Sequence, residues 1–174
     1  MSPYRLMILA FGGCLLLLQS NLSRAQNPSG GAITVSADDR KFILDAAQSG
    51  LHEVQLATLG IERGTNNDLK VYAQRILDDQ VLSNAQVEAL ARLKGVALPD
   101  PTKTDPSAVK LSRLSGIEFD TEFVHEVIED HLRDLAEFEK DDQSSSADSD
   151  IKGYAHSALP KLHAHLDQAK ALKP

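Results

Sequence analysis

Residues 37–68 read ADDRKFILDAAQSGLHEVQLATLGIERGTNND, and their pattern of apolar residues indicates a helical protein. Its apolar and small side chains recur at alternating spacings of three and four, which places them on one face of a helix. They are Ile43, Ala47, Gly50, Val54, Ala57 and Ile61. Ser36 followed by Asp39 is typical of a helix start, and Gly64 is typical of a helix end. The pattern therefore predicts one amphipathic helix over 37–63.

A second helix follows after a sharp reversal. It is expected to start within 65–68, where the polar residues TNND are good helix caps, and to end at Gly95. Its buried face carries Leu69, Ala73, Ile76, Gln80, Val87 and Leu90. Because so few residues connect two long helices, the two must form an antiparallel hairpin. Three prolines within 99–106 then interrupt any helix, and residues 107–114 predict only a short one.

The second half of the chain predicts another pair of helices. The third long helix is expected to begin with Asp120 as its N-cap, with Phe119 and Val124 packed as a hydrophobic staple. Its buried face carries Val124, Val127, His131, Leu135 and Phe138. The polar run 141–150 predicts a turn. The face of the fourth helix carries Ile151, Ala155, Ala158, Leu162, Leu166 and Ala169. Pro160 lies within this helix and predicts a kink.

The two halves of the chain repeat weakly. Residues 68–77 recur as 150–159, an offset of 82 residues. With a slip of one residue, a second set of positions aligns, namely Phe42, Leu51 and Val54 with Phe123, Leu132 and Leu135. Two related hairpins joined by one long crossover connection make a four-helix bundle. We therefore predict an all-α domain of this architecture over 37–172, without a sheet.

The first 25 residues predict a cleavable signal peptide. A positive residue precedes the apolar run 6–18, and residues 23–25 (SRA) have the small side chains that signal peptidase requires. The run is shorter than the roughly 20 residues that span a bilayer, so we expect no transmembrane segment in the mature chain. Residues 26–36 predict a flexible tether. An uncleaved anchor and lipidation at Cys14 are the alternatives. The expected location is the periplasm or the outer membrane.

Composition excludes several classes of function. Without residues 1–25, 16 basic and 25 acidic residues remain, so the mature chain has a net charge near −9, which repels nucleic acid. The single Cys and both Met residues also lie in that leader. Disulfides, thiol nucleophiles and thiolate metal sites are therefore excluded. Because the sequence also contains no serine nucleophile with a base and no phosphate-binding loop, we predict no enzyme activity and no cofactor.

Several separated motifs across 37–172 resemble one known family. They are Asp38-Asp39-Arg40-Lys41-Phe42, Glu53-Val54-Gln55-Leu56, Tyr72-Ala73-Gln74-Arg75 with Asp78-Asp79, Ser115-Gly116 with Phe119-Asp120, Asp130-His131, and Leu159-Pro160-Lys161-Leu162 with His165-Leu166. In this order they resemble the bacterial domain of unknown function family 4142. The resemblance implies a ferritin-like four-helix bundle in exported periplasmic or outer-membrane proteins, with no agreed activity. The family commonly has His after the paired acids of the second helix, where this chain has Gln80.

A ferritin-like bundle raises the question of a di-iron site. Such a site needs a Glu-x-x-His motif on each of two helices and one Glu on each of the other two. The sequence contains a single Glu-x-x-His motif, from Glu122 to His125, near the expected end of the bundle. We therefore predict no ferritin-type oxidase centre.

Two polar residues interrupt the apolar faces. Gln80 and His131 each fall near the middle of a helix, where they can meet each other or Glu53. One interpretation is a structural hydrogen-bonded layer that sets the register of the helices. The alternative is a metal site formed by Glu53, His131 and His165.

The functional prediction is an exported, non-enzymatic protein that acts through surface contacts, either as a homo-oligomer or with an envelope protein. Metal binding or storage through the layer around His131 is the alternative. His163 and His165 point to different sides of their helix, so they cannot chelate one ion together. For one of them we expect a surface ion pair with Glu126 or Glu129.

Overall fold

Five helices make up the part of the chain that the computed structural model describes, residues 35–173. They are α1 (Ala37–Arg63), α2 (Asn67–Lys94), α3 (Pro106–Leu111), α4 (Gly116–Gln143) and α5 (Ser149–Ala171). These residues contain no strand, so the prediction of an all-α protein is confirmed. None of their helices is long and apolar enough to cross a membrane. The predicted signal peptide, and all but the last two residues of the predicted tether, lie outside the described residues.

The helices begin and end where the sequence supplies capping groups. The hydroxyl of Ser36 accepts a hydrogen bond from the backbone N–H of Asp39 at 3.0 Å. The side chains of Asn66 and Asp148 cap α2 and α5 in a similar way. α2 ends at Gly95, which takes the left-handed conformation (φ 66°) that glycine adopts without strain. The predicted bounds of α1 and α2 are therefore confirmed.

The long helices pair as two hairpins. α1 packs mainly against α2 across the turn 64–66, and α4 packs mainly against α5 across 144–148. The crossover 95–115 carries α3 and connects the hairpins. The hairpins also touch each other, α1 with α4 and α2 with α5. The predicted pair of hairpins with one long crossover is confirmed. The specific ferritin-like arrangement of the helices stays a prediction.

The prediction that Asp120 caps the third long helix is wrong. α4 begins earlier, at Gly116, with Ser115 as its N-cap. Asp120 is completely buried, and its carboxylate accepts hydrogen bonds from the backbone N–H groups of Thr65 and Asn66 at 3.0 and 3.2 Å. The backbone N–H groups at the start of α2 have no acceptor within their own helix, and Asp120 provides one from the other hairpin.

Two further expectations about α4 also fail. Phe119 lies inside the helix and stacks on Phe123, with 5.9 Å between ring centroids, so it is not the residue before an N-cap in a staple with Val124. The polar run 141–150 is not all turn, because α4 continues to Gln143 and α5 begins at Ser149. Polar side chains are compatible with a solvated last helical turn, so the run marks the end of the apolar face rather than of the helix.

The internal repeat is visible at the two hairpin turns. α2 and α5 begin 82 residues apart, as the repeat predicts. At each turn an aspartate from the other hairpin accepts the backbone N–H of the N-cap residue. Asp39 accepts that of Asp148 at 3.1 Å, and Asp120 accepts that of Asn66. Asp39 and Asp120 are the end carboxylates, and their hydrogen bonds connect the two hairpins to each other.

The apolar side chains form two clusters, one on each side of the bundle's middle. The first includes Phe42, Ile43, Phe138 and Ile151, and the second includes Leu56, Leu69, Phe119 and Phe123. On each long helix, polar residues lie between the segments that enter the two clusters, and several of them are buried. Apolar packing on both sides lowers the local dielectric, so a polar group there is costly if it has no partner.

Candidate metal centre

A layer of buried polar side chains crosses the middle of the bundle, and every long helix contributes to it. The polar layer consists of Glu53 from α1, Gln80 from α2, Asp130, His131 and Asp134 from α4, and His165 from α5. Each of these residues is at most 7% exposed. The structure therefore brings Glu53, Gln80 and His131 together near mid-helix, as the sequence predicts.

Glu53 is the central member of the polar layer. Its Oε2 accepts a hydrogen bond from the Nε2 amide group of Gln80 at 2.6 Å. Burial raises the pKa of Glu53 well above its ordinary value, and the nearby carboxylates of Asp134 and Asp130 raise it further. An ionised Glu53 is therefore costly in this place unless a cation joins it.

His131 has no hydrogen-bond partner among the described residues. The residue is 1% exposed, and neither ring nitrogen forms a hydrogen bond of good geometry, although the backbone carbonyl of Val127 lies nearby. The ring centroid lies 5.4 Å from that of His165. Burial lowers the pKa of His131 to about 4, His165 contributes in the same direction, and the nearby carbonyl of Val127 opposes the shift. His131 is therefore neutral at pH 7, which is the form that binds metal ions.

His165 is held through one ring nitrogen and leaves the other free. Its Nε2 lies 2.8 Å from Oδ2 of Asp79, and the ammonium group of Lys161 lies 3.1 Å from the other oxygen of the same carboxylate. Nδ1 is buried and has no partner within residues 35–173. Burial lowers the pKa of His165, although Asp79 opposes this shift. The carboxylate favours a proton on Nε2 and so leaves Nδ1 available to a metal ion.

The predicted partners of His163 and His165 are wrong. His165 lies on the inward face of α5 and pairs with Asp79 of α2, so it does not form the expected surface ion pair with Glu126 or Glu129. His163 is exposed, but its Nε2 approaches Glu139, at 3.7 Å. The number of residues from a turn does not determine which face of a helix a side chain occupies, and it does not place a long side chain such as that of Glu139.

Two carboxylates that were not predicted as site residues complete the polar layer. Asp134 accepts a hydrogen bond from the hydroxyl of Ser49 at 2.5 Å, and Asp130 accepts one from the guanidinium group of Arg133 at 2.8 Å. The second oxygen of Asp130, Oδ2, is buried and has no partner in the described part of the chain. Burial raises the pKa of both groups, that of Asp130 to about 7.

A signal for these two aspartates was present in the sequence. Asp130 and Asp134 are four residues apart, so they share a face of α4, and they flank the predicted ligand His131. In the internal repeat Asp134 also aligns with Glu53. The carboxylates of this aligned pair meet at the middle of the bundle.

The one Glu-x-x-His motif lies outside the polar layer. Glu122 forms an ion pair with Lys110 of α3, and His125 is exposed. The motif therefore contributes no ligand atom to the middle of the bundle.

His52 connects the polar layer to the surface. Its Nδ1 lies 3.0 Å from Oδ1 of Asp105, the N-cap residue of α3, and its Nε2 lies 3.6 Å from Oδ1 of Asp130. These side chains and Asp134 line a surface groove. The groove provides a polar, largely acidic route between solvent and the layer. Its role was not predicted from the sequence, because its walls come from three separate segments.

The comparison with known families covers nearly the whole described fold. Residues 24–172 match the family described as Domain of unknown function (DUF4142). The chain belongs to this family. It is also similar to the crystal structure of a DUF305 fragment from Deinococcus radiodurans, with a TM-score of 0.69 and 16% identity over 79% of this chain and 96% of that one. At this identity the likeness shows the fold alone. No curated protein matches the chain.

In this DUF4142 chain the polar layer offers two sets of metal-ligand atoms. One ligand atom each from Glu53, His131 and His165 lie within 4.8 Å of one another, so the structure brings the predicted set together. Glu53, Asp130 and Asp134 form a second set within the same limit. Atoms bound to one ion at about 2 Å are separated by roughly 3–4 Å. Small side-chain movements are therefore enough for either set to close around an ion.

Proposed function

We propose that this DUF4142 protein is an exported, non-enzymatic protein that binds a divalent transition-metal ion inside its bundle, with Glu53, His131 and His165 as ligands. One observation carries the proposal. His131 is a neutral, buried imidazole with both nitrogens unpaired, and it lies beside a carboxylate and a second imidazole that has a free nitrogen. The export part of the proposal rests on the signal-peptide pattern of residues 1–25.

The unpaired nitrogens argue against a purely structural layer. A buried polar atom without a partner costs about 1–3 kcal/mol. A layer that served only to set helix register would be more stable with His131 paired, or replaced by an apolar residue. A metal ion supplies a partner to His131, a partner to Nδ1 of His165 and a counter-charge to Glu53. One ligand therefore accounts for three unsatisfied features.

The donor set indicates the kind of ion. Two imidazoles and one carboxylate suit ions such as Zn²⁺, Fe²⁺, Co²⁺, Ni²⁺ and Cu²⁺. The contact between Asp79 and His165 is the arrangement that commonly orients metal-bound histidines and makes them better ligands. Apolar clusters on both sides limit the access of bulk water along the axis of the bundle. Such a buried site suits holding an ion, and the proposal includes no catalytic step.

The test is a metal titration of chelator-treated protein with Zn(II), Fe(II) and Cu(II) by calorimetry. We expect wild type to bind at least one of these ions with a fixed stoichiometry and His131→Ala to lose that binding. His163→Ala is the matched control, because it removes an exposed imidazole from α5 and should bind like wild type. His131→Gln keeps most of the side-chain volume, so if this variant also loses metal binding, misfolding does not explain the loss. Absence of binding in wild type, or equal binding in His131→Ala, contradicts the proposal.

Association with a second copy of the chain is a second candidate function. Four large apolar side chains of α2 are more than half exposed, namely Val71, Val81, Leu82 and Leu93. Val71, Leu82 and Leu93 recur at about three helical turns, so they share one face. These side chains are roughly 16 Å apart along the helix, so a second copy of the chain that packs lengthwise on this face would bury all three. Light scattering tests it: a wild-type dimer that dissociates in Leu82→Ser supports it, and a monomer at all concentrations contradicts it.

A further inference from the structure

Glu53 belongs to two sets of ligand atoms. His131 and His165 complete the first, and Asp130 and Asp134 complete the second. We propose that the polar layer holds two divalent cations that share the carboxylate of Glu53, a transition-metal ion on the histidine side and a harder ion on the aspartate side. This inference rests on the proposed function for the first ion and adds the second.

The shared carboxylate has the capacity for both ions. An ionised carboxylate offers two oxygens with about four lone-pair directions. Glu53 uses one of them, on Oε2, to accept the hydrogen bond from Gln80. The remaining positions allow one oxygen to face each ion. Paired metal ions of this kind lie about 3.5–4 Å apart.

One oxygen of Asp130 has no hydrogen-bond partner in the part of the chain that the structure describes, so it is available to a second ion on the aspartate side. Oδ2 of Asp130 has no hydrogen-bond partner within the described residues, although only 6% of this side chain is exposed. The other oxygen of Asp130 is held by Arg133, and Asp134 is held by the hydroxyl of Ser49. Both carboxylates are therefore oriented from outside by hydrogen bonds, as metal ligands commonly are, while Oδ2 of Asp130 stays available.

The two positions differ in ligand chemistry and in access. An oxygen-only set of three carboxylates suits Mn²⁺, Mg²⁺ or Ca²⁺, whereas the imidazole-containing set suits Zn²⁺ and similar ions. Asp130 and Asp134 also line the surface groove beside His52 and Asp105. Asp130 and Asp134 are also more exposed, at 4% and 7%, than His131 and His165, at 1% each, so the ion on the aspartate side should exchange faster than the ion on the histidine side.

The test counts ions on each side in the purified, metal-free protein. One equivalent of Zn(II) is added first, followed by Mn(II), with calorimetry and elemental analysis after gel filtration. Wild type is expected to hold one equivalent of each. Asp130→Asn and Asp134→Asn should keep Zn(II) and lose Mn(II), and His131→Ala should lose Zn(II) and keep Mn(II). Glu129→Gln, which changes an exposed acid of α4, is the matched control and should behave like wild type.

Electron paramagnetic resonance tests whether the two ions share Glu53. When Mn(II) alone fills both positions, we expect an exchange-coupled multiline spectrum, because a bridging carboxylate holds the ions close together. Asp130→Asn should give the six-line spectrum of a single Mn(II). An uncoupled six-line spectrum from wild type with two bound equivalents overturns the shared carboxylate.

The stoichiometries separate this inference from the proposed function. One equivalent in wild type that is lost in His131→Ala and unchanged in Asp130→Asn overturns the two-ion centre and leaves the single-ion function intact. Absence of any binding overturns both. The Asn variants remove charge at nearly constant volume, and circular dichroism with urea unfolding establishes that each variant is folded before its ions are counted.

Discussion

The end carboxylates Asp39 and Asp120 and the middle carboxylates Glu53, Asp130 and Asp134 are all buried, but their surroundings are opposite. The end carboxylates accept backbone N–H groups at the starts of α2 and α5, where the helix favours a negative charge. The middle carboxylates face one another, and their proximity disfavours charge. A buried acid at an end of this bundle therefore stabilises the fold, whereas the acids in the middle are suited to binding a cation.

The largest expected effect concerns the end of the bundle. Asp120→Ala leaves the backbone N–H groups of Thr65 and Asn66 without an acceptor, so the free energy of unfolding should fall by about 3 kcal/mol. Urea unfolding measures this loss. Asp39→Ala, which removes the acceptor of a single backbone N–H, should cost about half as much. Equal, small losses in both variants would contradict the assigned role of Asp120.

The second prediction has the opposite sign. Glu53→Gln removes a buried acid whose ionisation is opposed by burial and by two other carboxylates, and it keeps the side-chain shape, so metal-free protein at pH 7 should become more stable by about 1 kcal/mol or more. Urea unfolding in the presence of a chelator measures this change. Asp120→Asn is the isosteric control at the end of the bundle and should be destabilised. If both variants lose stability, the contrast between end and middle carboxylates is wrong.

The third prediction concerns the pH dependence of metal-free stability. The pKa of Asp130 rises from 3.8 to about 7 on folding, so the folded state binds more protons between these values and its stability falls as pH rises through them. The pKa of His131 falls from 6.5 to about 4, so its contribution to stability is lost as pH falls from 6.5 to 4. The two effects oppose each other in the overlapping range. Above about pH 6.5 His131 is neutral in both the folded and the unfolded state. Only the carboxylates with raised pKa values then affect stability, so the free energy of unfolding should fall as pH rises.

Two variants separate these effects in unfolding measurements at a series of pH values. His131→Leu should show a steeper fall in stability from pH 4 to 7 than wild type, because His165, whose pKa burial also lowers, is then the one imidazole of the polar layer that still opposes the carboxylates. The slope is at most about 1.4 kcal/mol per pH unit for each proton. Asp130→Asn should flatten the decline near neutral pH. Burial also raises the pKa of Glu137, which lies outside the polar layer, to about 7, so Glu137→Gln is measured alongside. A wild-type curve that rises between pH 6.5 and 8 would refute the assigned signs.

The smallest expected effect concerns the residue that orients His165. Asp79→Asn weakens the acceptor for Nε2 of His165, so metal affinity should fall about 10-fold, with little change in stability. Competition with a chromophoric chelator measures the affinity. Asp78→Asn changes the exposed neighbouring acid on α2 and should leave the affinity unchanged. Equal weakening in both variants would point to a general charge effect instead.

Features set by residues close together in sequence were predicted well. The bounds of α1 and α2 follow from Ser36, Asn66 and Gly95, whose capping groups lie within one turn of the helix ends. The buried positions of Gln80 and His131 follow from helical periodicity, which needs only a few neighbouring residues.

Features set by residues far apart in sequence were missed. Asp120 has the local pattern of an N-cap, but its hydrogen-bond partners lie 54 and 55 residues away at the other hairpin's turn. Asp79 was not predicted beside His165 for the same reason, since 86 residues separate them. No local pattern distinguishes an aspartate that caps its own helix from one that caps a distant helix.

The all-α class, the two helical hairpins and the positions of Gln80 and His131 near the middle of their helices follow from the amino-acid sequence. The packing of the hairpins determines that Glu53, His131 and His165 converge, that Asp130 and Asp134 join them, and which of their polar atoms lack a partner. The physical reason is that periodicity defines which face of one helix is buried. The rotation and height at which four such faces meet depend on packing between the hairpins.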